Sequence, residues 1–376
     1  MPGPLEGLRI VEFRGLGPVP FAGMLLSDMG AEVIRIDRAE AVGPGQPDVL
    51  GRNRRSIALD LKKPEATEVA LELVASADGL LEGFRPGAME RLGLGPDVCL
   101  ERNPRLVYGR MTGWGQTGPY AKSAGHDLNY IALTGALAAI GRKDGPPEIP
   151  LAFVGDFGGG GMMLAFGMLA ALFESARSGT GQVVDAAIVD GVALLMTTFT
   201  SNYSLGRWSL TRGTNLVDSG RHFYDVYRCS DGEYVSVGSI EPVFYARLLA
   251  ALGLDDIDPA DQHDLSQDPA VRERLTELFA TKPRDEWVRL LEGADACFAP
   301  VLSMAEAPQH PHNAARGTFT EVGGLLQGSV APRLSRTPGE IVRPPAKAGA
   351  DSDALLDELG RTPEQIAALR AAGAVA

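Results

Sequence analysis

The chain has 376 residues, 45% of them hydrophobic and 22% charged, which is globular composition with material for two domains. Its 35 basic residues against 48 acidic ones give a net charge of −13, so a sequence-independent hold on nucleic acid or an anionic membrane is not expected. Cys99, Cys229 and Cys297 lie far apart with no paired spacing, which predicts reduced thiols, and with no cysteine–histidine ligand spacing and no carboxylates beside His310 and His312, no metal site is expected.

The opening MPGPLEGLR has no charged segment leading into an apolar one, and no apolar run approaches bilayer length, so a cytoplasmic protein is expected. The first strand pattern, RIVEF, runs into Gly15 and Gly17, and the second, EVIRID, reaches Asp37 twenty residues past Gly17. That spacing resembles a dinucleotide fingerprint. Yet Pro18, Pro20 and Phe21 occupy the place of the third glycine, so the stretch reads as an ordinary βαβ opening.

Further strands are predicted at SIALD, GLLEGF, RLVYGRM and VVDAAI, with helices between them at PEATEVALELVASA and PGAMERLG. The alternation predicts an α/β fold with a parallel, doubly wound sheet. FYDVYRCSDGEYVSVGS then reads as a hairpin turning on Asp231-Gly232, followed by helical patterns in EPVFYARLLAALG and EWVRLLEGA. The large domain is assigned to residues 1–200 with 330–376, a small α+β domain to 222–305, and linkers to 201–221 and 306–329. The chain ends on a helix, TPEQIAALRAAG, with Thr362 as cap and Pro363 at its first position.

Three acid–base candidates stand out. His126, in GHDLNY, follows a glycine-rich loop and opens a helix; it is either a neutral base at a helix N-terminus or a histidine satisfied as a cap. Asp156 precedes four glycines, as a helix cap or as part of a place where ligand meets backbone amides. Glu241 lies at the end of the hairpin's second strand, before Pro242, either as a first-turn carboxylate or as a site residue. Basic residues gather near predicted strand ends: Arg38, Arg52, Arg54, Arg55, Lys62, Lys63, Arg85 and Arg91. In an acidic chain that placement suits a phosphate-bearing ligand.

Taken together, LLSDMGAEVIRID, NRRSIALDLK, LLEGFRPGAMERLGLG, GWGQTGPY, AGHDLNY, VGDFGGGG, GQVVDAAIVDG and LGRTPEQIAALRAAG resemble the class III coenzyme A transferase family. The pairing of GHDLNY with Glu241 resembles its α-methylacyl-CoA racemase branch. The resemblance implies a Rossmann-like large domain, a smaller α+β domain, and two chains interlocked in a homodimer. It implies racemisation of 2-methylacyl-CoA thioesters through an enolate, with His126 and Asp156 as the two bases and Glu241, from the partner chain, orienting His126. The alternative it carries is a CoA transferase using Asp156 as a covalent nucleophile. It also implies that Arg38, Leu59, Asp60, Leu61, Lys62, Gly83, Phe84, Arg85, Arg91, Gly125, Asp127, Leu128, Asn129 and Tyr130 hold coenzyme A. Coenzyme A is then part of the substrate, and no separate cofactor is expected.

Overall fold

The computed structural model describes residues 3–43 and 48–376. The chain divides into two compact units. The first comprises the residues up to Thr134, Leu151–Met196 and Ala315–Ala376, and the second comprises Gly135–Pro150 and Thr197–Ala314.

In the first unit, β1 (Arg9–Phe13), β2 (Glu32–Arg38), β3 (Arg54–Leu59), β4 (Gly79–Glu82), β5 (Val107–Thr112) and β6 (Gln182–Ala187) form one sheet. Its order is β3-β2-β1-β4-β5-β6 and every pairing is parallel. All six predicted strands are present, because residues buried on both faces of a parallel sheet leave apolar runs in the sequence. Ile10, Val11, Ile34, Ile57, Leu80, Leu81, Val107 and Tyr108 are fully buried, each apolar side chain contributing about 1.5–3 kcal/mol. Chain order reverses between β1 and β4, which opens a crevice at the C-terminal ends of the strands.

The C-terminal segment returns to the outer edge of β3. Asp351 accepts the Ser56 N–H at 2.9 Å and Val375 bridges Leu59, so the strand is not left as an open edge. The terminal helix Pro363–Ala371 starts as expected: Thr362 Oγ1 accepts from the Gln365 N–H at 3.3 Å, and Gln365 Oε1 accepts from the Thr362 N–H at 2.9 Å.

One correction concerns the expected linker at 306–329. Part of it is a hairpin, Phe319–Val322 paired with Leu325–Gly328, turning on Gly323 and Gly324 at φ 61° and 78°. Two glycines with positive φ are the chemistry that such a tight turn requires. Residues 135–150 group with the second unit instead of the first. Arg142 pairs with Asp225 there, and Arg212 donates to the carbonyls of Ala138 and Gly145.

The second unit holds β7 (Tyr224–Arg228), β8 (Tyr234–Gly238) and β9 (Phe298–Pro300), antiparallel and in that order. The hairpin loop is longer than the Asp-Gly signal suggested: Cys229 N–H donates to Glu233 O at 2.8 Å, and of the two turn residues only Gly232 has positive φ. Helices Pro242–Leu252, Asp268–Phe279 and Arg284–Leu291 pack on this sheet through Tyr245, Leu248, Leu275, Phe279 and Trp287.

The expectation that no apolar run reaches bilayer length is also corrected. The helical stretch Phe153–Ser178 has 26 residues and contains an 18-residue window of mean hydropathy 1.4, enough by length and composition to cross a membrane. Part of that apolarity packs within the first unit against β5, β6 and helix Pro18–Asp28, where Leu164 and Met168 are fully buried, while Phe166 and Phe173 are exposed.

Candidate active site

The predicted ligand residues of the first unit cluster along one edge of the sheet. Arg38 ends β2, residues 59–62 lead out of β3, Gly83, Phe84 and Arg85 follow β4, and Arg91 ends the short helix Ala88–Arg91. Arg38, Lys62, Arg85 and Arg91 are exposed. Phe84 instead faces inward, with its ring edge-on to Phe13 and its N–H donated to Glu82 at 2.7 Å.

Three other arginines of the expected phosphate cluster are structural. Arg54 is fully buried and binds Glu12 at 2.9 Å, Ser27 Oγ at 3.0 Å and the Pro20 carbonyl at 2.7 Å. Arg52 pairs with Asp28 at 2.5 Å, and Arg55 with Glu32 and Glu358, each at 2.7 Å. A buried guanidinium needs a carboxylate more than a protein surface needs another charge, so the Arg54 and Arg52 pairs are internal, while Arg55 is half-buried against partly exposed carboxylates. Asp37, the acid of the apparent dinucleotide fingerprint, is likewise consumed: it accepts from Arg14 at 2.9 Å, Arg35 at 2.8 Å and Ser56 at 2.6 Å.

The chain leaving β5 builds the second half of the site. The Tyr130 ring lies where a side chain at Gly113 would project: a Cβ there would be 2.0 Å from it. It also meets Trp114 edge-on at 4.8 Å, and its hydroxyl donates to the Gly125 carbonyl. These contacts fix the loop just ahead of His126. His126 is the N-terminal cap position of helix Asp127–Leu133, and its N–H donates to Asn129 Oδ1 at 3.1 Å. The helix has seven residues, and the His126 side chain, like Leu128 and Asn129, is exposed.

Asp156 lies inside a π-helical stretch, Phe153–Met162, and not at its cap. Its N–H donates to Asp127 Oδ2 at 2.6 Å. On its other side stands Gly17, with φ 66° and ψ −111°, where a Cβ would lie 2.6 Å from Asp156 Oδ2. The glycine run after Asp156 packs helices together. A Cβ at Gly159 would meet Val192 at 2.5 Å, one at Gly160 would meet Pro18 at 3.0 Å, and one at Gly161 would meet Phe21 at 2.7 Å. The run therefore gains close helix contact at the cost of backbone freedom, and it is not an open cradle of amides.

Burial raises the Asp156 pKa above the usual 3.8, and the neighbouring Asp127 carboxylate raises it further, against an opposing pull from His126. Tyr130 is also raised, by burial and by the Asp156 charge, with Arg85 acting the other way. His126, Asp127, Tyr130 and Asp156 thus form one electrostatic group, with Arg85 at its margin. A carboxyl whose pKa is raised, beside an imidazole, suits proton transfer to and from a carbon acid.

Glu241 belongs to the second unit. It is exposed and its carbonyl accepts the first helical N–H bonds, from Phe244 and Tyr245 at 3.0 Å each, while its carboxylate caps nothing. Among the described residues, no group of three or more His, Cys, Asp or Glu side chains is placed to hold a metal ion. The site residues that sequence reasoning missed are Gly17 and, as a partner of Asp156, Asp127. Gly17 carried a signal, a glycine between Leu16 and Pro18, but the sequence offered no indication of what it made room for.

The chain belongs to CoA-transferase family III, whose pattern matches residues 5–352. It is 44% identical over 365 residues to the alpha-methylacyl-CoA racemase of Mus musculus, spanning 96% of this chain and 95% of that protein. It is 42% identical over 368 residues to the Homo sapiens alpha-methylacyl-CoA racemase, with the same coverage. A CaiB/BaiF family protein from Brucella suis has a similar structure, with a TM-score of 0.83 at 25% identity over 96% of this chain and all of that one.

Proposed function

We propose that this protein is an α-methylacyl-CoA racemase that interconverts the 2R and 2S epimers of 2-methylacyl-CoA thioesters by 1,1-proton transfer. One observation carries the reading: His126 and Asp156 form a single electrostatic group, with the Asp156 carboxyl raised by burial, in a chain more than two-fifths identical to two racemases. The thioester carbonyl acidifies the α-hydrogen. One of the two groups removes that proton from one face, leaving an enolate, and the other returns a proton to the opposite face. Each transfer contributes on the order of 10²–10⁴-fold. Asp156 has to be protonated when it is the donor, and its raised pKa supports that state.

Arg38, Arg85 and Arg91, exposed at the C-terminal edge of the sheet, are the groups for the phosphates of coenzyme A. Glu241 orients His126 from a partner chain within an interlocked homodimer. Coenzyme A enters as part of the substrate, with no further cofactor, and the enzyme works in the cytoplasm, in keeping with three unpaired cysteines.

The test is to incubate one epimer of a 2-methylacyl-CoA in deuterated water. Appearance of α-deuterium together with the second epimer is expected; absence of both sinks the proposal. A CoA transferase would instead pass CoA to a free carboxylate through an acyl intermediate on Asp156 that hydroxylamine traps. H126A separates the two reactions, since it abolishes epimerisation and leaves a covalent Asp156 route largely intact.

A further inference from the structure

Asp127 has a contact pattern that a helix-opening residue does not need. Its Oδ2 accepts the Asp156 N–H at 2.6 Å, the short distance of a charge-assisted hydrogen bond. Its Oδ1 is buried and has no hydrogen-bond partner. Room for this carboxylate exists because residue 155 is glycine: a Cβ there would lie 2.2 Å from Oδ2. An unsatisfied buried carboxylate oxygen is costly, on the order of 1–3 kcal/mol, and such groups collect at functional sites.

We infer that Asp127 is the positioning residue of Asp156: its Oδ2 holds the Asp156 N–H, and so the backbone that carries the carboxyl standing against Gly17, while its Oδ1 stays unpaired in the same site. This gives Asp127 a side-chain role distinct from any backbone contact with coenzyme A, and it rests on the proton-transfer function proposed for Asp156. The surrounding groups are few. His126 and Tyr130 face Asp156 from the segment that carries Asp127, Arg85 stands beyond Tyr130 in the loop after β4, and Asp190 is exposed on the packed helix Ile188–Leu195. Burial raises the Asp156 pKa most, Asp127 raises it further, and of the surrounding groups His126 lowers it.

D127N keeps an oxygen that can accept the Asp156 N–H but removes the charge, whereas D127A removes both. In the full-length protein, ¹³C-aspartate NMR reads the Asp156 carboxyl directly, its resonance assigned by its loss in D156N. In D127N the Asp156 midpoint falls by about one pH unit, a tenfold change in its acid dissociation constant. Deuterium exchange from each epimer then shows the Asp156 limb of the kcat profile moving to lower pH with KM for the thioester unchanged. D127A, checked for folding by thermal unfolding, loses at least tenfold in kcat as well. An Asp156 titration that is superimposable in wild type and D127N overturns the inference, as does an effect confined to KM. The NMR measurement needs no substrate, so it decides the role of Asp127 even if wild-type protein exchanges no α-proton, an outcome that would remove the racemase proposal alone.

Discussion

Replacing Gly17 with alanine tests how closely the Asp156 carboxyl is placed. The new Cβ would stand 2.6 Å from Asp156 Oδ2 and 3.3 Å from its Cγ, against about 3.4 Å for ordinary contact, so the carboxyl has to retreat by about 0.8 Å. The backbone at φ 66°, ψ −111° is open to glycine and strained for alanine, at about 1–3 kcal/mol. Part of that is offset because alanine lowers the entropy of the unfolded chain by about 0.4–1 kcal/mol. A net loss of about 1–2 kcal/mol in stability is therefore expected. The larger effect is on rate. A misplacement of about 1 Å costs on the order of 10²-fold, so G17A should lose about 10–100-fold in kcat for α-proton exchange while its thioester KM changes little. Deuterium incorporation at saturating 2-methylacyl-CoA gives kcat, and urea unfolding gives stability. Exchange within twofold of wild type in a folded G17A protein would refute the claim that this glycine makes room for the acid.

Two other predictions concern groups whose state only the fold decides. R54M strands the fully buried Glu12 without its cation and should cost about 3–5 kcal/mol in the urea unfolding of the first unit, with much of it recovered in E12L/R54M. A loss below about 1 kcal/mol would show that the pair is dispensable. Asp156 has a folded-state pKa above the 3.8 of a free aspartate, so the folded protein retains a proton that the unfolded chain has released. That contribution is fully present below pH 3.8 and is lost as pH rises through the folded pKa. D156N should therefore melt higher than wild type at pH 8, with the difference shrinking toward pH 4; a pH-independent difference would contradict the raised pKa.

The local features were legible from residue order because they depend on near neighbours. Apolar runs located all six strands of the large sheet, and Thr362-Pro363 with Gln365 marked the start of the last helix. His126 and Asp156 were recognisable as candidates from their glycine-rich surroundings and from family resemblance. The hairpin at Gly323-Gly324 also had its turn signal, but its strands are only four residues each and were absorbed into an expected linker.

The tertiary structure decided which polar groups meet. Arg54 and Arg38 look alike in the sequence, yet one is sealed against Glu12 and the other is exposed at the sheet edge. Asp37 had the spacing of a ribose ligand, and three side chains from β1–β3 and their connections consume it. The glycines after Asp156 suggested an opening for ligand, whereas they let helices touch. The physical reason is the same in each case. Hydrophobic periodicity records which face of an element is buried, but the pairing of charges and the pKa of a buried acid depend on distances between residues far apart in the chain. The Asp156 pKa is raised only because folding buries the carboxyl and sets Asp127 beside it, against the pull of His126.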